Sequence, residues 1–442
     1  METITGIGLA AGRGERFRPL TLKAKGFLRA KAAVLLLGRR VMDWILGILQ
    51  AQGLQDFVIL TKGKENRYQI KAIVGYGESV GARIRYSPVS LDRENAGSAD
   101  ALLANLDYFN IGGTVFVFPT DSVLDIDLAA MVAQHRRTGA AVTIASAAQP
   151  AEFVAGQYGW IDHGPDGRVA GFVEKPSLAA IRARLGEGPL PILSTNAGFY
   201  LMEAAVLRAI SAHPEVEALR ARAFDIGGDL LPWLVRHGYP VYAHQIGRMG
   251  DLGNIASYLD TMGHMLFGRF HSITPLMPPA VPGRPGVMID PETLALTDLQ
   301  SGLTLAEKMA QGLVDLRPPL RIGKYVRIFP GVTLEACNID DDCELSAGAT
   351  IRRASIGPGS LIGPGCLIED ALLGFMVEAL STPEQPVVLQ GGVAIGDEVI
   401  LQAGVALRDG VLIHPRLKVP RGITLPPRAE VESLEQILEA LW

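Results

Sequence analysis

The chain has 442 residues, with 41 Lys and Arg against 46 Asp and Glu. That length is too great for one ordinary core and sets two domains as the prior, while a net charge of −5 gives no electrostatic reason to expect nucleic acid or an anionic membrane as a partner. Cys337, Cys343 and Cys366 lack a Cys-x-x-Cys spacing and cannot all pair, which argues against a disulfide framework or a zinc site and for buried thiols in a reducing cytoplasm. No window reaches the roughly 18 apolar residues of a membrane span, and the amino terminus enters a strand-like run directly, so a cytoplasmic protein with small ligands is expected.

From Ile4 to about Met265 short apolar runs alternate with amphipathic ones. Phe57–Leu60, Val115–Phe118 and Val142–Ala145 read as strands, whereas Val41–Ala51, Ser98–Leu106 and Leu128–Arg137 have helical spacing. The pattern predicts an α/β fold, a Rossmann-like and mostly parallel sheet, over 1–265. Prolines 275, 278, 279, 282 and 285 then mark a linker, and 266–320 read as a connecting module with a helix near Leu303–Gln311. After Arg321 aliphatic residues recur about every six positions: Ile322, Ile328, Leu334, Ile339, Leu345, Ile351, Ile356, Ile362 and Ile368, resuming at Ile395. Such a period places one aliphatic side chain inward on each flat face of a triangular coil and predicts a left-handed parallel β-helix over 321–428, interrupted by a loop at about 370–392. Apolar residues at 431, 434, 437, 438 and 441 predict a capping helix over 429–442.

The sharpest chemical signal is Leu9-Ala10-Ala11-Gly12-Arg13-Gly14-Glu15-Arg16, followed by Phe17-Arg18-Pro19-Leu20-Thr21, immediately after the first predicted strand. Glycines there let backbone N–H groups approach phosphate oxygens, and an arginine adds a forked, permanently charged donor. A second acid-bearing strand end, Phe118-Pro119-Thr120-Asp121, lies where open α/β sheets bind ligands.

These segments resemble the signature of the sugar-1-phosphate nucleotidyltransferases, and the resemblance runs through the whole first domain. It implies Leu9, Ala11, Gly12, Gly14, Gly97 and Ser98 at the nucleotide, and Arg16 with a lysine at the triphosphate. That lysine is assigned to Lys31 across an insertion of about five residues, with Lys23 and Lys25 as alternatives. Asp121 and Asp251, the latter in Met249-Gly250-Asp251-Leu252-Gly253, are implied as Mg²⁺ ligands, a role that suits hard carboxylate oxygens. Gly159, Glu174, Lys175 and Asn196 are implied at the sugar phosphate, so the expected ligands are a nucleoside triphosphate and a hexose 1-phosphate.

Phe224–Pro232 and Arg284–Val287 resemble the mannose-1-phosphate guanylyltransferase-like group with a β-helix tail, which puts GDP-mannose first among products. Glucose 1-phosphate with another nucleotide is the alternative, and a regulatory homologue that binds without turnover is the reading from another class. His414, the only histidine after His271, gives weak support to a second catalytic site on the β-helix; its flat faces are expected to serve homo-oligomer assembly instead.

Overall fold

A computed structural model describes residues 4–439 apart from 11, 13, 25, 26, 187, 299 and 300. The chain divides into two compact units, Met1–Gly12 with Met42–Met249, and Arg13–Val41 with Gly250–Trp442.

In the first unit nine described strands form one sheet: β1 (Thr5–Ala10), β2 (Asp56–Thr61), β3 (Arg83–Tyr86), β4 (Thr114–Pro119), β5 (Val142–Pro150), β6 (Trp160–His163), β7 (Val169–Val173), β8 (Ile192–Glu203) and β9 (Val241–Gln245). Their order is β7-β6-β8-β4-β1-β2-β3, with β5 pairing β8 and β9. β1 runs parallel to both β2 and β4, and β2 to β3, while β8 enters antiparallel against β4 and β5. Continuous apolar runs such as Phe57–Leu60 and Val115–Phe118 form these strands because both faces of the sheet are covered. The helices fall where their periodicity puts them, at Val41–Ala51, Ser98–Tyr108 and Leu128–Thr138. The last starts where the Asp127 side chain accepts from Ala130 N at 2.9 Å and stops at Gly139, whose φ of 58° an L side chain resists.

The second unit contains the β-helix. One ladder stacks Arg327–Ile328, Glu344–Leu345, Leu361–Ile362, Glu378–Ala379, Ile400–Leu401 and Lys418–Val419 in parallel register. Ile328 pairs Leu345 and Leu345 pairs Ile362, so each coil advances 17 residues (345 − 328 and 362 − 345), two steps of six and one of five. The stacked aliphatic residues are buried throughout, a stable arrangement because each coil completes the core of the next, and parallel stacking is consistent with the expected left-handed coil.

Three details differ from the sequence reading. The expected loop at 370–392 shrinks to 380–387, because Leu367–Leu373, Glu378–Ala379 and Val388–Ile395 are strands; Ala379 holds an inward position where other coils have a larger residue, and the step from Ala379 to Leu401 widens to 22 (401 − 379). Within the expected connecting module, Val287–Ile289 and Asp315–Arg317 already join the parallel ladders, and Leu305–Ala310 forms a helix with a Thr304–Glu307 capping box. Towards the end, Glu430–Val431 adds one more strand and the helix starts only at Leu434; Ile437 reaches the β-helix core, and Leu441 lies outside the described residues. Cys337, Cys343 and Cys366 are unpaired and buried in that core, where loss of solvent pushes the Cys337 and Cys343 thiols up to about 12. Among the described residues no helix is long and apolar enough to cross a membrane.

Candidate active site

Strand order changes direction at β1, which has β2 on one side and β4 on the other. Crevices open at the carboxyl ends of strands at such a switch point. Gly12 follows β1 and Asp121 follows β4, and a Cβ on Gly12 would sit 3.7 Å from Asp121 Oδ2, so the turn and the carboxylate face each other. Leu9 O accepts from Thr120 N and Thr120 Oγ1, both at 3.2 Å, which fixes the two strand ends side by side. Ala11 lies outside the described residues.

Gly97 precedes the helix Ser98–Tyr108, and a Cβ there would lie 2.5 Å from Phe224 O. The close approach lets Phe224–Asp225 cap the helix: Ala99 N donates to Phe224 O at 3.0 Å, and Ser98 N and Oγ donate to Asp225 Oδ1 at 2.9 and 3.0 Å. Ser98 Oγ in turn accepts from Ile226 N at 2.9 Å. Asp225, which sequence reading used only as a subfamily signal, thus shapes the Gly97–Ser98 turn.

All four residues expected at the sugar phosphate come together. Gly159, ahead of β6, presents its Cα to Glu174, with a Cβ placed 2.9 Å from Oε2; Gly227 approaches the same oxygen equally closely. Glu174 Oε2 is buried and has no hydrogen-bond partner among the described residues, and burial raises the carboxyl pKa above its usual range, with Lys175 opposing the rise and Asp225 adding to it. Lys175 has a left-handed φ of 43° and places Nζ 3.7 Å from Glu174 Oε1. Asn196 is locked from both ends: Nδ2 donates to Tyr200 Oη and Oδ1 accepts from Gly198 N, each at 2.9 Å, while Asn196 N donates to Gly159 O at 2.8 Å. An oriented amide, an under-satisfied carboxylate and a cation are the groups a phosphorylated polyol requires.

The remaining candidates belong to the second unit. Thr21 Oγ1 donates to Gly14 O at 2.7 Å, and Gly14 has φ 68°. A Cβ on Gly14 would meet Lys31 Cγ at 2.9 Å, so the Lys31 stem packs on the glycine turn. Of the two alternatives, Lys23 is exposed on the strand Leu22–Ala24, and Lys25 lies outside the described residues. Arg16, in the short helix Glu15–Phe17, is exposed, and its neighbour Phe17 stacks on Tyr258 at 5.5 Å. Asp251 ends the strand Arg248–Asp251; its carboxylate lies against Gly253, where a Cβ would come within 2.9 Å of Oδ2, and its carbonyl accepts from Thr261 Oγ1 at 3.2 Å.

Residues 5–266 match the family model described as nucleotidyl transferase, more than half of the chain. The chain belongs to the nucleotidyl transferase family. Within it, the chain is similar to a UTP–glucose-1-phosphate uridylyltransferase of Synechocystis, 28% identical over 83% of this chain and 86% of the relative. It is also similar to glucose-1-phosphate adenylyltransferases of Parafrankia, 28% identical over 89% and 99%, and of Aliivibrio fischeri, 26% identical over 83% and 92%. These relatives are named for a reaction of glucose 1-phosphate, a member of the substrate class that the motifs implied. Gly227 and Asp225 touch these candidates although sequence reading assigned them no site role, and Tyr200, inside the Asn196–Tyr200 motif, had none of its own; the Gly227-Gly228 doublet was the available signal, since glycine permits close approach.

Proposed function

We propose that the protein transfers a uridylyl or adenylyl group to glucose 1-phosphate and releases pyrophosphate. A phosphate oxygen of the sugar attacks the α-phosphorus of the triphosphate, and the bond from that phosphorus to the bridging oxygen breaks. A phosphate monoester is already anionic at neutral pH, so no general base is needed and catalysis reduces to alignment and charge neutralisation. Arg16 and Lys31 are assigned to the triphosphate, Lys175 to the attacking phosphate, and Leu9, Gly12, Gly14, Gly97 and Ser98 to the nucleotide. Asp121 and Asp251 are the residues that would hold Mg²⁺, whose chemistry there is to neutralise phosphate charge; the fit rests on the hard oxygen donors and on Asp121 facing the Gly12 turn.

The observation that carries the sugar assignment is Glu174 Oε2, buried between Gly159 and Gly227 without a partner among the described residues. A hydroxyl donated to it satisfies a buried charge, which is worth more than an ordinary exchange with water. Support for glucose over the mannose and guanosine first ranked from sequence comes from relatives named for glucose 1-phosphate that match along more than four fifths of the chain. The test is pyrophosphate release from glucose 1-phosphate or mannose 1-phosphate with each of UTP, ATP, GTP and CTP in Mg²⁺. Release is expected with glucose 1-phosphate and UTP or ATP. Release confined to mannose 1-phosphate and GTP overturns the choice of sugar and base, and product binding without release from any pair overturns the turnover reading.

A further inference from the structure

The segment 13–41, which carries Arg16 and Lys31, packs within the same compact unit as the β-helix. The most buried charged group among its described residues is Arg29, 5% exposed, two residues before Lys31. The Arg29 guanidinium reaches in three directions. Nη1 donates to Leu20 O at 3.1 Å, in the tail of the glycine turn; Nη1 and Nη2 form a bidentate ion pair with the Asp397 carboxylate; and the plane lies 4.4 Å over the Phe375 ring. Asp397 is 5% exposed and also accepts from Phe375 N at 3.0 Å.

Phe375 and Asp397 occupy one corner of the β-helix in successive coils. Leu373 pairs with Ile395 in the parallel register, so Phe375 and Asp397 are each two residues past equivalent positions. Gly374 makes their approach possible, since a side chain there would strike the Asp397 carboxylate. A second contact lies further along the segment: Gly38, at φ 75°, gives up its Cβ space to the Arg321 guanidinium, which is itself paired to Asp340 at 2.8 Å. Tyr258 Oη donates to Leu35 O at 2.8 Å between them.

We infer that Arg29 is a positioning residue: through Asp397 the β-helix corner holds the segment so that Lys31 and the Leu20 tail keep their place on the Gly14 turn. A buried, bidentate pair between a segment and a rigid stack is costly to desolvate, and an apolar pair of similar volume gives at least equal stability in many proteins. Directed hydrogen bonding to Leu20 O is what the apolar pair lacks. The inference rests on the proposed assignment of Lys31 to the triphosphate.

The test uses the full-length chain and the triphosphate that the wild type turns over. Asp397→Asn is expected to raise the KM for triphosphate on the order of tenfold, leaving the KM for sugar 1-phosphate and kcat nearly unchanged, because a misplaced cation weakens one substrate selectively. Arg29→Met with Asp397→Leu is expected to restore the melting temperature while the raised KM persists. An unchanged triphosphate KM in Asp397→Asn overturns the inference, as does a KM that recovers along with the melting temperature in the double variant. Wild-type protein that releases no pyrophosphate fails the proposed function rather than this contact. In that case amide hydrogen exchange decides: faster exchange at Arg29, Ala33 and Val34 in Asp397→Asn supports the positioning role, and unchanged exchange overturns it.

Discussion

In the first unit, the glycines at 12, 159 and 227 each turn a bare Cα towards a carboxylate, Asp121 for the first and Glu174 for the other two. In the β-helix, those at 357, 363 and 396 turn theirs towards the backbone of the next coil: a Cβ on Gly357 would collide with Gly374 O, one on Gly363 would lie 2.6 Å from Ala379 O, and one on Gly396 2.6 Å from Pro415 N. The same loss of a side chain serves two ends. Around the carboxylates it lets Asp121 and Glu174 sit close to the backbone, where the proposed function puts the substrates, and at the coil corners it lets the chain stack on itself. Substitution at the first kind should therefore cost activity, and at the second kind stability.

The largest effect tests the carboxylate that faces Gly12. Asp121→Ala should lower pyrophosphate release by about a thousandfold or more, as expected when charge stabilisation at the reacting phosphates is removed. Its melting temperature should stay close to wild type, since Asp121 is only partly buried at a strand end. Turnover within tenfold of wild type would remove Asp121 from the metal assignment.

Next comes the direct contrast between the two kinds of glycine. Gly159→Ala pushes a methyl against the Phe172 ring and Glu174 Oε2. Losing one hydrogen bond to a charged group costs about 2 kcal/mol, or roughly thirtyfold in kcat/KM for sugar 1-phosphate. Melting should fall less than a backbone collision makes it fall, because the methyl meets side-chain ends. Gly357→Ala should do the reverse: about 1–3 kcal/mol of stability lost by overpacking between coils, seen as a melting temperature several degrees lower, with both KM values unchanged. If the two variants lose activity and stability in equal measure, the distinction between the glycines fails.

The contrast also explains what could be read from the sequence. Stacked coils repeat one local solution, so Ile328, Leu345 and Ile362 announce the β-helix by rhythm, and the reading weakened only where Ala379 replaced a larger residue and the step widened. The catalytic candidates repeat nothing, yet Gly12, Asp121, Gly159 and Glu174 could be singled out because each sits in a short motif next to a strand end. Partners that meet across the chain left no such mark. Arg29 and Asp397 are 368 residues apart, and neither carries a motif that names the other. For the same reason the segment 13–41 read as part of the first domain by order alone, although Phe17 stacks on Tyr258 and Arg29 pairs with Asp397.

The smallest effect concerns the Glu174 carboxyl, whose pKa is raised by burial and, less, by Asp225. A raised pKa means that the folded protein holds the proton more tightly than the unfolded chain does, so the stability this group contributes is complete below the unfolded pKa and is lost as pH rises through the folded one. Above that raised pKa the ionised Glu174 therefore burdens the fold. Glu174→Gln, neutral at every pH, should melt slightly higher than wild type at pH 7, and that gain should fade as acid is added. Binding runs the other way: the sugar hydroxyl needs an ionised acceptor, so the wild-type KM for sugar 1-phosphate should climb as pH falls towards the raised pKa, while the Gln variant has a high KM throughout and keeps only the dependence due to the phosphate's own ionisation. Melting curves and sugar-phosphate titrations at matched pH values measure both slopes. Parallel pH dependence of KM in the two proteins would show that Glu174 does not receive the sugar, and its buried oxygen would then be a cost with no ligand to offset it.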